Sequence, residues 1–387
     1  RGKMSANDVR FMVVAGEPSG DLHAARLIRA LSTEIPGSSA FGVGGNEMRG
    51  VGVEILHDCG PLDVIGFGGV PKVLPALLRI KRDLLSRVRA SRPAAVILVD
   101  YPGFNLSLAK SFSRLPEPPQ LIYFIPPQVW AWKTGRARTL ARICDLILTI
   151  YPFEPPIFRR EGGRAEFIGN PVAYALRDAP SRQEARAELG ISDSDRVVSF
   201  LPGSRRSEIT RLLEPMMDSS EILEKQFPGT IFLMSEAEAL TEGTIQKMLA
   251  TGRVRVVRGS QHSLVRASDA TVVASGTAAL ECALLGTPMN VCYAGDVFSY
   301  LLAKYFFLQV DFISLPNLLA GWEVVPELLQ KQVRGDKIAA SLASLLDDSE
   351  TRERQLRVFG EIRETLAGAD PYERAATSIR MALEKTT

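Results

Sequence analysis

The chain has 387 residues, 46% apolar and 23% charged, which is the balance of an ordinary folded protein and too long for one comfortable core, so two domains are expected. Lys plus Arg is 46 and Asp plus Glu 44, a net charge of +2, which excludes the strong basic excess of a general nucleic-acid binder. Cys59, Cys144, Cys282 and Cys292 show no CxxC spacing and only three histidines exist, which speaks against a zinc cluster or disulfide framework and suits a reducing, cytosolic compartment.

Arg1, Gly2 and Lys3 precede Met4 and are set aside from the fold reading. Phe11 to Ala15 is an apolar run that suits a buried parallel strand, and Ser19 can cap a helix carrying Leu22, Ala25, Leu27, Ile28 and Leu31 until Pro36. Ala40–Val43, Ala95–Val99, Leu121–Ile125 and Leu146–Ile150 continue the strand series, with helical stretches such as Leu74–Arg89 between them. After a polar helix-like stretch, Ser181 to Leu189, the pattern restarts with Val197–Leu201, Thr230–Met234, Val254–Val257, Ala270–Ala274 and Pro288–Cys292. Alternating strands and helices predict an α/β fold of two Rossmann-like, doubly wound parallel-sheet domains facing a cleft. The expected domains are 4–178, 179–350, and a C-terminal helix over 351–387 packing back on the first. No run reaches the ~18–20 apolar residues of a spanning helix, so the chain is expected to be soluble or to lie on a membrane without crossing it.

Three strand-to-helix loops carry chemistry-bearing residues. Leu201-Pro202-Gly203-Ser204-Arg205-Arg206 joins a Gly turn to a helix start, an anion site to which arginine adds a fork of donors; a plain capped turn is the alternative. In Ala274 to Glu281, Ser275, Gly276 and Thr277 can offer N–H and hydroxyl groups to a pyrophosphate, and Glu281, one helical turn on, can accept from a ribose hydroxyl; tight packing by small residues is the alternative. Two such loops in one half favour a nucleoside diphosphate. Asp100 ends a buried strand, where partial burial would raise its pKa as a general base needs, although a loop-fixing acceptor role is equally open. His23, in the first turn of its helix, is the second candidate base or else a surface or capping residue.

Other segments are less specific. The loop Ala15 to Asp21 is not GxGxxG, which disfavours NAD or FAD, and Asp193-Ser194-Asp195 has a metal-binding DxD form but precedes a strand and reads as a polar turn. Trp130, Trp132 and Lys133 follow a strand, where the indoles either contact a sugar or acyl chain or pack in the core. The stretch Asp63 to Leu85, with Val64, Phe67 and Val70 among interleaved Lys and Arg, reads as a surface for anionic lipid headgroups or a greasy substrate, or as a buried helix with a basic face. The apolar stretch Phe298 to Leu308 is either a homodimer surface or core.

Whole blocks, in order from about residue 11 to 325, resemble the lipid-A-disaccharide synthase family, inverting glycosyltransferases of the GT-B class (family 19): Ala15–Asp21, Val99–Asn105, Val129–Trp132, Phe167–Gly169, Leu201–Arg205, Ala274–Glu281 and Ser314–Gly321. The resemblance implies a UDP-2,3-diacylglucosamine donor and a 2,3-diacylglucosamine 1-phosphate acceptor. It implies β-1′,6-linked disaccharide phosphate and UDP as products, with no cofactor or metal. It also implies a peripheral enzyme on the cytoplasmic face of a Gram-negative inner membrane. Asp100 and Arg205 fall on positions that look essential in that family, and Ser19, Asn105, Trp130, Trp132, Val64, Phe67 and Val70 are expected on the acceptor or lipid side. A UDP-sugar 2-epimerase of similar two-domain fold is the rival, though it would need acid and base groups on both sugar faces and only one persuasive candidate is present. A non-catalytic UDP-sugar sensor is the third reading.

Overall fold

The computed structural model describes residues 9–60, 70–129, 135–238, 240–249, 252–295, 312–347 and 349–385. The chain forms two compact units, one from the segment up to Pro171 together with that from Gly368 onward, the other from Val172–Ala367. Val64, Phe67, Trp130, Trp132, the side chain of Val70 and the stretch 298–308 lie outside the described residues.

The N-terminal unit runs β1 (Arg10–Ala15), α1 (Pro18–Glu34), β2 (Ser39–Gly44), α2 (Asn46–Gly50), β3 (Glu54–Asp58), α3 (Val70–Ser91), β4 (Ala95–Val99), α4 (Pro102–Phe112), β5 (Gln120–Phe124), α5 (Gly135–Ile143), β6 (Leu146–Thr149), α6 (Glu154–Arg160) and β7 (Ala165–Phe167). Its strands are parallel in the order β3-β2-β1-β4-β5-β6-β7. All five residues of β4 are buried, as a strand covered by helices on both faces requires, and burying each Val, Ile or Leu side chain is worth about 1.5–3 kcal/mol. The expected Ser19 cap is replaced: Glu17 is the N-cap of α1, Pro18 takes the first helical position, where its missing N–H costs nothing, and Ser19 stands inside the first turn.

After α7 (Pro171–Ala175), the C-terminal unit runs α8 (Arg182–Leu189), β8 (Val197–Leu201), α9 (Arg206–Gln226), β9 (Ile231–Glu236), α10 (Thr244–Met248), β10 (Val254–Arg258), α11 (Gln261–Ala267), β11 (Ala270–Ala274), α12 (Thr277–Leu285), β12 (Met289–Tyr293), α13 (Leu315–Ala320), β13 (Glu327–Leu329), α14 (Gly335–Asp347) and α15 (Ser349–Leu366). Ser181 and Glu184 close α8 with a reciprocal capping box. This sheet is also parallel, in the order β10-β9-β8-β11-β12-β13. The single C-terminal helix expected over 351–387 is two helices: α15 belongs to the C-terminal unit, and α16 (Pro371–Glu384) packs on α1 of the N-terminal one. Asp370 starts α16 by accepting the N–H groups of Tyr372 and Glu373, and Arg380 bonds Glu34 of α1 at 2.8 Å. Among the described residues no helix is long and apolar enough to cross a membrane.

Candidate active site

In an open α/β sheet the strand order reverses direction at one point, and the loops leaving the two strands there diverge and leave a crevice. In the N-terminal unit that point lies between β1 and β4, whose outgoing loops carry Gly16-Glu17 and Asp100-Tyr101. In the C-terminal unit it lies between β8 and β11, whose loops carry Gly203-Ser204-Arg205 and Ser275-Gly276.

Asp100 leaves β4 with φ 45° and Tyr101 follows at 46°, a left-handed pair rare for residues with a Cβ. The backbone is pinned on every side. Asp100 N–H donates to Phe124 O at 3.1 Å, and its own carbonyl accepts from Asn105 Nδ2 and from the Tyr123 hydroxyl, both at 2.9 Å. Gly16 is required by close approach, since a Cβ there would sit 2.2 Å from the Tyr101 ring. The Asp100 carboxyl is half-buried and hydrogen-bonded to that of Glu17; burial first, then the Glu17 charge, push it up to about 7, against the pull of the Tyr101 N–H. Glu17 also accepts from Ser19 Oγ at 2.9 Å. A carboxyl raised to near-neutral pH in this way is suited to act as a general base.

Two expected residues behave differently. Asn105 is 0% exposed, and its Nδ2 donates to Val14 O, Val99 O and Asp100 O, so it fixes the strand ends and does not face an acceptor. His23 shares a 2.9 Å hydrogen bond with the Tyr372 hydroxyl and stacks on that ring; burial and, less, the Arg26 charge lower its imidazole to about 4. It anchors α1 to α16 as a neutral ring, poorly suited to serve as a base at neutral pH. Glu17 is the residue that motif reading passed over, although a carboxylate just past a buried strand and before Pro18 could have marked it.

In the C-terminal unit, Gly203, Ser204, Arg205, Ser275, Gly276 and Thr277 line one cavity of about 360 Å³, with Glu208, Ser235, Ala237, Gln261 and Ala278. Gly203 adopts φ 99°, a conformation glycine takes freely, which turns the chain from β8 into α9. The starts of α9 and α12 thus open on the same cavity, each a positive pole with N–H groups that no preceding turn satisfies. Ser275 is a partial exception: its N–H is used by Cys292 O at 2.9 Å, leaving only its hydroxyl. Arg205 is 71% exposed in its side chain and pairs with Glu208 at 3.1 Å. Glu281 is not in the cavity wall; it accepts from Gln261 Nε2 at 3.0 Å, and Gln261 is what lines the cavity. His262 lies 3.6 Å from the same carboxylate, whose hydrogen bond raises the imidazole pKa. The whole arrangement can hold a polyanion with a neutral group at one end.

The Asp193-Ser194-Asp195 turn has a structural occupant. Arg186, 1% exposed, donates Nη1 to the carbonyls of Ser192, Asp193 and Asp195, and Nη2 to Asp269. Asp195 itself accepts from Ser192 N–H at 2.8 Å.

The lipid-A-disaccharide synthetase family model matches residues 11–375. Curated relatives include lipid-A-disaccharide synthases from Syntrophus aciditrophicus, 36% identical over 98% of this chain and 99% of that one, and from Anaeromyxobacter sp. strain K, 39% identical over 92% and 93%. Among solved structures, a putative UDP-N-acetylglucosamine 2-epimerase from Listeria monocytogenes has a TM-score of 0.64 at 13% identity, covering 98% of this chain and 96% of that one. MurG from Acinetobacter baumannii has a TM-score of 0.57 at 13% identity, with 96% and 99% covered. At such identities the likeness shows the fold alone, which synthases and epimerases share, and the sequence relatives decide against the epimerase. Two pairs of switch-point loops on GT-B sheets, within a match that runs almost end to end, make this chain a member of the lipid-A-disaccharide synthetase family of glycosyltransferases.

Proposed function

We propose that the chain transfers 2,3-diacylglucosamine from its UDP conjugate to the 6-hydroxyl of 2,3-diacylglucosamine 1-phosphate, giving the β-1′,6-linked disaccharide 1-phosphate and UDP. The observation that carries this reading is the contrast of the two loop pairs, a half-buried aspartate hydrogen-bonded to a second carboxyl at one and an anion cavity at the other. Asp100 takes the acceptor proton as the hydroxyl oxygen attacks the anomeric carbon. The bond to the β-phosphate oxygen breaks with its electron pair, and the configuration inverts. Arg205 and the N–H groups at the starts of α9 and α12 meet the charge that develops on UDP, the kind of electrostatic stabilisation that dominates many active sites. The 360 Å³ cavity suits the nucleotide, with Gln261 joined to Glu281 as the ribose side. Asp100, hydrogen-bonded to Glu17, keeps the proton until water removes it.

On the acceptor side the proposal includes a membrane surface. On α3, Leu78 is 48% exposed beside Arg79 and Arg82, a pattern in which apolar groups enter lipid while cations meet anionic headgroups. Val64, Phe67 and Val70 precede this face in sequence, and Ser19, Trp130 and Trp132 are assigned to the acceptor sugar or its acyl chains. The test is UDP release from the UDP-sugar with and without diacylated glucosamine 1-phosphate. Release that requires the acceptor supports transfer; sugar interconversion without an acceptor would return the epimerase.

A further inference from the structure

The cavity read as a diphosphate site contains an anion of its own. Glu208 is the third residue of α9, its carboxylate lines the cavity, and it lies against the Gly203 turn so closely that a Cβ on Gly203 would come within 2.5 Å of Oε2. The same carboxylate pairs with Arg205 at 3.1 Å. An acid in a helix's first turn is favoured by the helix dipole, which explains its stability there. That is the same positive pole a bound diphosphate uses.

We propose that Glu208 competes with the diphosphate for Arg205 and the α9 terminus, and so sets how readily UDP leaves; this rests on the cavity being the UDP site. The other physical role open to it is positioning, in which Glu208 holds Arg205 in place for the ligand. Magnitudes separate the two. A tether between exposed side chains changes an equilibrium by at most about five-fold. A carboxylate within about 6 Å of two phosphate charges opposes them by roughly ten-fold even at the dielectric constant of water, and by more near a protein surface. Repulsion outweighs tethering, and the two roles predict opposite signs.

The experiment is calorimetric titration of the full chain with UDP and with inorganic pyrophosphate. Glu208→Gln keeps a hydrogen-bond acceptor for Arg205 and removes the charge, and should bind both ligands about ten-fold more tightly. Glu208→Ala, a second variant at the same helix start, should also gain affinity for both, and UDP should become a stronger product inhibitor of each. Unchanged or weaker binding in both variants, with Arg205→Ala weakened, would overturn the competitor role and leave the cavity reading standing. Wild-type UDP affinity in Arg205→Ala, with no binding of pyrophosphate to any protein, would remove the cavity reading and this inference with it.

Discussion

After β4, the N-terminal unit turns through Asp100 and Tyr101 at φ 45° and 46°; after β8, the C-terminal unit turns through Gly203 at 99°. Both turns occupy the switch point of a parallel sheet, yet they solve different chemical problems. The first needs its side chains, so it keeps a strained conformation that costs of order 1–3 kcal/mol per residue and relies on Asn105, Tyr123 and Phe124 to hold it. The second needs backbone N–H groups close to a ligand, so glycine suffices. One site buries a charge to raise a pKa; the other leaves positive poles open to solvent. The fold supplies position in both, and residue choice supplies the chemistry.

The largest effect that can break this comparison is on turnover. Asp100→Asn should lower kcat by about 10³-fold, within the 10²–10⁴ range for a general base, measured as acceptor-dependent UDP release. Near-normal rates would move the base elsewhere. Arg205→Ala should reduce kcat/KM by about 10²–10³-fold in the same assay, and a normal value would refute its role on the leaving group. Stability gives the next pair. Because Asp100 is raised from its ordinary 3.8 to about 7 in the folded chain, the folded state holds that proton longer and stability falls as pH rises from about 4 to 7. Asp100→Asn should therefore be about 2–4 kcal/mol more stable than the wild type at pH 8 and about equal at pH 3.5, read from denaturant midpoints. Arg186→Met should cost about 3 kcal/mol by removing hydrogen bonds to four carbonyls, those of Ser192, Asp193, Asp195 and Ala267, and weakening the Asp269 pair, and a shift well under 1 kcal/mol would contradict that reading. Smallest is Glu17→Gln, which removes a repelling charge and should move the rise of activity with pH, centred near 7 in the wild type, down by about one unit; an unmoved profile would separate Glu17 from the base.

Central strands were plain in the sequence because both faces are buried, and runs such as Ala95–Val99 and Ala270–Ala274 contain nothing polar at their centre. The strands that escaped it, β3, β7 and β13, lie at sheet edges and read EILHD, AEF and ELL, too short or too polar to show that signature. Asp100 and Arg205 were legible as side chains at strand ends. The Asp100–Glu17 pair was not, since it depends on β1 and β4 being neighbours, a consequence of sheet order that local sequence does not carry. His23 misled for the same reason: its partner Tyr372 comes from the far end of the chain. Glu281 was one residue removed from the wall, because Gln261, from the preceding helix α11, fills the space before it.

UDP calorimetry on two variants tests the division of labour most directly. Asp100→Asn should bind UDP within about twofold of the wild type while Arg205→Ala should bind at least about ten-fold more weakly, the loss expected for one charge-assisted contact. The reverse pattern, with affinity lost on removing Asp100 and kept on removing Arg205, would place the nucleotide on the wrong unit and contradict it.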